Sequence, residues 1–273
     1  MDNNGQLTFS DDPLLNESSE IFQLISEGKF REAIKKTDHV MGVNPDYPGA
    51  VEAYRTAKFW FNREKEMRKL PEGKRTADFL MEEWASFEEY ASLKEMKGSS
   101  AYKSAMRYIF FRAAEHYKLA FQSNQETDSR FDLLTNLGEC FLRLREYKYA
   151  VETLEFARSS YRSSARLLFI LGESYFHLDD IPKCLLYYRE AFAVDPAEVD
   201  LSLVEAVPVK DIIRAINDSG RNFREVKEWI PVFGFLTDIF YVRRNLNKHQ
   251  VESLKREVFN LENSMARLGL DEI

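Results

Sequence analysis

Two consecutive stretches decide the fold: FDLLTNLGECFLRLREYKYAVETLEFARSSYRSS, from Phe131, and ARLLFILGESYFHLDDIPKCLLYYREAFAVDPAE, from Ala165. They align without gaps at an offset of 34 residues. Leu137-Gly138-Glu139 falls on Leu171-Gly172-Glu173, Phe141 on Tyr175, Tyr147 on Ile181, Leu154 on Tyr188 and Ala157 on Ala191. Self-similarity at a fixed period of this size marks an array of stacked units. Leu137, Gly138 and Phe141 stand at i, i+1 and i+4, on one face of a helix. A glycine inside a helix costs about 1 kcal/mol relative to alanine. Its use twice at one register predicts that a partner helix comes close there. Ala150 and Ala157, seven residues apart, supply the matching flat contact.

The turns agree with paired helices. Asp179-Asp180 precede Pro182, which suits the first turn of a helix, where a missing N–H does no harm. Asp195-Pro196 ends that helix, because proline disfavours helical backbone in the residue before it.

These residues resemble the tetratricopeptide repeat family, whose unit is a helix pair of this length. The resemblance implies an all-α fold, a right-handed α-solenoid of helical hairpins, with residues 131–164 and 165–198 as two repeats. A degenerate copy over 14–47 carries Glu27-Gly28-Lys29-Phe30-Arg31-Glu32-Ala33-Ile34 at the inter-helix turn, with Val40 and Pro45 following. It departs from the family at Ile21, where a small residue is usual. Residues 1–13 read as a flexible N-terminus.

The middle, 48–130, reads as long irregular helices that either continue the array or form a separate domain. Ala50–Arg63 is one, Lys69–Gly73 a break, Thr76–Lys97 a second, Gly98-Ser99-Ser100 a stop with a fresh N-cap, and Ala101–Gln122 a third. Beyond residue 199 the repeat fades into capping helices over 199–246. Pro208–Asn217 is a short helix closed by Asp218-Ser219-Gly220. Phe223–Val242 contains Pro231 and Gly234 and is not expected to be one straight helix. Residues 247–273 form an amphipathic helix in which Val251, Leu254, Val258, Leu261, Met265 and Leu268 alternate three and four apart, a heptad seam.

The bulk numbers bound the function. The 273-residue chain has few breakers, Gly 11 and Pro 8, against 21 Phe and 13 Tyr, which favours helices. A net charge of −7 argues against nucleic acid as a partner. Two cysteines, Cys140 and Cys184, build neither a disulfide framework nor a closed zinc site and read as small buried side chains. The four histidines, His39, His116, His177 and His249, lack metal-ligand spacing, and no phosphate loop or nucleophile motif occurs. The expectation is a protein that is not an enzyme and carries no cofactor or metal. With no apolar leader at the acidic start and no spanning run, the expected location is cytoplasmic. Peripheral attachment to a membrane-bound complex stays open.

Three surfaces are candidates for binding other proteins, as a helix or a linear peptide. The resemblance places Asp132, Thr135, Asn136, Glu139 and Arg143, then Arg166, Phe169, Ile170, Glu173 and His177, along the family's first-helix groove. Family members that clamp a peptide carboxylate use basic and amide side chains where Thr135 and Glu139 stand, so that activity is not expected. The second surface is the apolar run Trp229–Val242, with Trp229, Phe233, Phe235 and Phe240. It is either a cap on the last repeat or a dock for a partner or membrane surface. The third is the heptad helix, which either folds back or pairs with a foreign helix or a second copy of the chain.

The expected function is a scaffold or adaptor that assembles a multiprotein complex. The alternatives are a peptide-binding co-chaperone or regulator, or, from the likeness of the tail to tetratricopeptide proteins of spirochaetes, a structural component of a periplasmic flagellar motor collar.

Overall fold

The computed structural model describes residues 13–123, 127–220, 226–240 and 248–267. Among them are twelve α-helices and no strand. The fold is all-α, and most helices adjacent in sequence pack as neighbours. A first pair, α1 (Pro13–Ser26) and α2 (Phe30–Val43), is followed by three long helices, α3 (Ala50–Met67), α4 (Lys74–Leu93) and α5 (Ser100–Ser123). The pairs α6 (Thr127–Arg143) with α7 (Tyr147–Ser160) and α8 (Ala165–His177) with α9 (Ile181–Val194) cover the two aligned stretches. Two short 3-10 turns lead to α10 (Val207–Asp218), then α11 (Val226–Leu236) and α12 (Lys248–Arg267).

The small residues act where the sequence places them. A Cβ added to Gly138 would collide with the Leu154 side chain on α7, and one added to Gly172 would stand 2.8 Å from Tyr188 Cδ2 on α9. Leu154, Tyr188, Ala150 and Ala157 are wholly buried. Leu154 and Tyr188 each lie over the glycine of the helix before, so the large side chain of one helix occupies the space that the small residue of the other leaves. Cys140 and Cys184 are also wholly buried in this packing.

The inter-helix turns share one geometry. After α1, α6 and α8 the chain passes through a left-handed residue, Gly28 (φ 73°), Arg145 (63°) and Asp179 (60°). The next amide returns to a carbonyl five residues back: Lys29 to Leu24 (2.9 Å), Glu146 to Phe141 (2.8 Å) and Asp180 to Tyr175 (3.0 Å). This is the helix C-cap that satisfies the last free carbonyls. The same bond closes α4, from the Met96 amide to the Ala91 carbonyl (2.8 Å) after the left-handed Glu95 (φ 55°). Helix starts follow the sequence too: Ser99 Oγ accepts from Tyr102 N (3.1 Å), and Asp180 Oδ1 accepts from Lys183 N (3.2 Å) beside Pro182.

The middle helices pack by another rule. Trp60 on α3 and Trp84 on α4 stack with ring centroids 6.3 Å apart, and Trp84 meets Phe110 of α5 edge-on at 5.1 Å. Phe87 and Tyr102 stack at 5.7 Å. Rings rather than small residues set the separation here, which is why the 34-residue pattern is lost over this stretch. α5 also reaches back: Tyr108 covers Gly28 in the first turn and meets Phe30 edge-on at 5.4 Å.

The buried apolar residues form two clusters that meet on α6. Leu133, Leu137 and Cys140 belong to the first, with α1–α5. Phe131, Leu134 and Leu142 belong to the second, which continues to Phe240. At the far end Ile212, Ile216, Val226 and Ile230 close that core. α11 ends at Leu236, contains Pro231, and turns so that Phe240 packs over Gly234. On α12, Val251 is half-buried. The other heptad positions, Leu254, Val258, Leu261, Met265 and Leu268, lie outside the residues whose side chains are described, as do Tyr241 and Val242 of the apolar run.

Candidate functional site

Most of the first-helix residues expected to line an open groove are engaged with one another. Arg166 on α8 donates to Asn136 Oδ1 (2.8 Å) and Glu139 Oε2 (2.5 Å) on α6. Asn136 Nδ2 donates to the Tyr117 hydroxyl (3.2 Å), which donates to Asp78 Oδ1 (3.0 Å) on α4. Arg143 Nη1 donates to Glu88 Oε1 (3.0 Å), which also accepts from the Tyr102 hydroxyl (3.0 Å). A polar clamp thus runs from α4 and α5 through α6 to α8, across the line where the two cores meet. Asp132 is exposed at its edge, 3.4 Å from Arg162.

Three expectations for that groove are corrected. Phe169 is 1 % exposed and packs edge-on against Tyr188 at 5.6 Å, so it belongs to the core. Ile170 is buried beside it. Thr135 is buried and gives its hydroxyl to the Phe131 carbonyl (3.0 Å), satisfying itself within its own helix. The cause is shared: α6 and α8 are covered on more than one face, so their apolar stripes are wider than a one-sided helix would show.

Glu173 is the most unusual group here. It is 1 % exposed. Its Oε1 accepts from the amides of Glu205 (2.9 Å) and Ala206 (3.3 Å), tying the approach to α10 onto α8. Burial pushes its carboxyl up to about 7 despite those two bonds. Its Oε2 has no hydrogen-bond partner and lies 4.0 Å from His177 Nε2. His177 stacks on Tyr147 at 4.2 Å and stands 3.2 Å from Glu205 Oε2, with its pKa lowered, chiefly by burial. A carboxyl titrating near neutrality beside an imidazole is the pattern of proton-transfer sites. Here the carboxyl is shut from solvent and held by backbone amides, as a structural strut is. Burial also pushes the Cys184 thiol up to about 12 and Cys140 well above the usual range, so neither is a ready nucleophile. Among the described residues no group of three or more His, Cys, Asp or Glu could hold a metal ion.

The open site lies beside the clamp. A groove of about 620 Å³ runs along α5 against the end of α6 and the start of α7. On α5, Lys103, Arg107, Phe111 and Lys118 lie four, four and seven residues apart, on one face. Opposite are Phe141, Leu144, Arg145 and Tyr149. Phe111 and Tyr149 are each 56 % exposed. Phe141 sits 5.7 Å from Tyr149, with the Lys118 ammonium 5.5 Å from its ring. The sequence reading missed this site. The face of cations on α5 was its visible signal, but Phe110 and Phe111 are adjacent, and periodicity does not say which one faces out.

A second open surface is on α11. Ile230 and Gly234 face the core and Phe240 is wholly buried, so this part of the run is a cap. Trp229 and Phe233 are half-buried, with rings 6.4 Å apart edge-on. Val232, Phe235 and Leu236 are exposed, at 43 %, 52 % and 75 %. The run is therefore cap on one face and open apolar surface on the other. No helix among the described residues is long and apolar enough to cross a membrane. Comparison with protein-family models, with curated proteins and with solved structures returned no match.

Proposed function

We propose that this chain is a non-catalytic scaffold of the tetratricopeptide type that joins protein partners in one complex. The observation that carries the reading is the presence of two separate surfaces with large apolar side chains in water, the α5–α7 groove and the outer face of α11, on one array of packed helices. Apolar side chains grouped in this way are a mark of interaction sites. The repeat of small-residue contacts at Gly138 and Gly172 supports the family resemblance, since each sits against its partner helix as that family's packing requires. The described ionisable groups with the largest shifts are buried, and Tyr102, Tyr117, Tyr187 and Glu173 among them hydrogen-bond within the chain, which favours binding over chemistry.

The test uses the intact chain as bait beside a Phe235→Asp/Leu236→Asp variant and a Phe111→Asp/Tyr149→Asp variant. All four substituted side chains sit at exposed positions, so circular dichroism should show unchanged helix. The expected result is one set of partners lost from each variant and retained by the other. Identical partner sets from all three proteins would overturn the two-surface scaffold.

A further inference from the structure

We infer that the α5–α7 groove is a docking site for a short acidic segment of a partner protein that carries large apolar side chains; this rests on the scaffold reading and names the partner's chemistry. The argument begins with charge. The chain as a whole carries −7, yet five cations and two carboxylates line this groove. Two of the cations are engaged, Lys118 with Glu115 at 3.1 Å and Arg143 with Glu88 at 3.0 Å. Among the described residues Lys103, Arg107 and Arg145 have no ion-pair partner, and all three are exposed. Their charge lies on both walls, Lys103 and Arg107 on α5 and Arg145 at the turn after α6. Like charges gathered without partners on an acidic protein favour a ligand of opposite sign.

The floor decides the class of ligand. Met106 and Leu144 are half-buried, and Phe111 and Tyr149 stand exposed on either side. A phosphate polymer would neutralise the walls but leave these side chains in water. A peptide with carboxylates outward and one or two bulky apolar residues inward satisfies both. The length fits such a segment: Lys103 to Lys118 spans fifteen helical steps, about 22 Å at 1.5 Å per residue. The groove borders the clamp at Arg143 and does not include Asn136, Glu139 or Arg166, which are already engaged with one another.

The experiment is a fluorescence-anisotropy titration of the full chain with three labelled sixteen-residue probes. The first is built of Glu and Ala with Leu and Phe at helical spacing. The second has Lys in place of Glu, and the third has Ala in place of Leu and Phe. The first should bind at least about tenfold more tightly than either of the others, and its affinity should fall as salt is raised. Lys103→Glu/Arg107→Glu should weaken it at least tenfold, and Phe111→Ser should do the same without altering the salt dependence. Phe235→Ser, on the remote face, should change nothing. Arg145→Gly supplies a second charge-loss variant whose fold is expected to be firmer than that of the wild type, so a loss of binding there is not a loss of structure. Equal affinity for the three probes, wild-type affinity in the Lys103→Glu/Arg107→Glu, Phe111→Ser or Arg145→Gly variants, or equal competition by a dT20 oligonucleotide would each overturn the proposal. A chain that fails these titrations but still loses one set of partners with each of the two double-aspartate variants loses only this ligand chemistry and keeps its scaffold reading.

Discussion

At Gly138 and Gly172 the absence of one carbon sets the distance between two helices. Gly138→Ala places a methyl group against Leu154, and overpacking of this kind costs about 1–3 kcal/mol. In a Leu154→Ala background the same substitution should cost far less, because the space is vacated. A double-mutant cycle by chemical denaturation would read that coupling, and additive losses would argue against the contact. Glu173 acts through charge instead. Its folded pKa of about 7 lies above the ordinary 4.5, so its contribution to stability is full below about 4.5 and is lost as pH rises through 7. His177, lowered by burial, works the other way at acid pH, so the informative quantity is the difference between wild type and Glu173→Gln. Glutamine keeps the acceptor for the Glu205 and Ala206 amides and carries no charge. The variant should be close to wild type at pH 4 and more stable by about 3 kcal/mol at pH 8. A pH-independent difference in melting temperature would remove the buried carboxylate from the account. The glycines were legible in the sequence because they break a helix rule at one register. Glu173 was legible as a position and not as a buried group, since the backbone that covers it comes from residues 32 and 33 further along.

The helical turns show what an element-level reading captures and what it leaves out. Breaks at Gly28, Gly98 and Asp179-Asp180 were readable from turn chemistry. The turn at Arg145 was readable only through its alignment with Asp179. An arginine at φ 63° sits where the left-handed backbone costs about 1–2 kcal/mol. Arg145→Gly should therefore stabilise the chain by about 1 kcal/mol in urea unfolding, and a loss of stability would show that the side chain contributes more than it strains. The helices from 50 to 123 were legible as helices and not as a packing arrangement. Trp60, Trp84, Phe87 and Tyr102 have no fixed period to match against the flanking repeats, and ring orientation is set only when three helices meet. The outer face of α11 was ambiguous for a related reason: in an almost wholly apolar run, nothing marks the side that stays wet.

At the scale of the whole molecule the all-α class followed from composition and the repeat, while the division into two cores did not. The sequence marks residue 131 as the start of the aligned repeats, but the sharing of α6 between both cores depends on which of its faces each neighbour covers. Leu133, Leu137 and Cys140 point one way and Phe131, Leu134 and Leu142 the other. The seam between the cores is bridged by Arg166, Glu139, Arg143 and Glu88, whose partly exposed pairs are worth less than buried apolar area. Native-state hydrogen exchange at low denaturant should resolve the amides of α1–α5 from those of α7–α11 as two groups of different opening free energy. One common isotherm for all of them would mean that the clamp couples the halves into a single unit.

The shared helix also orders events during synthesis. As the chain leaves the ribosome, α1 to α5 emerge without their last wall, because Leu133, Leu137 and Cys140 are still inside the exit tunnel. The earlier half is thus obliged to wait, with α5 uncovered on one flank, until residue 140 has cleared. The same helix then offers Phe131, Leu134 and Leu142 as the first surface on which everything translated later can settle.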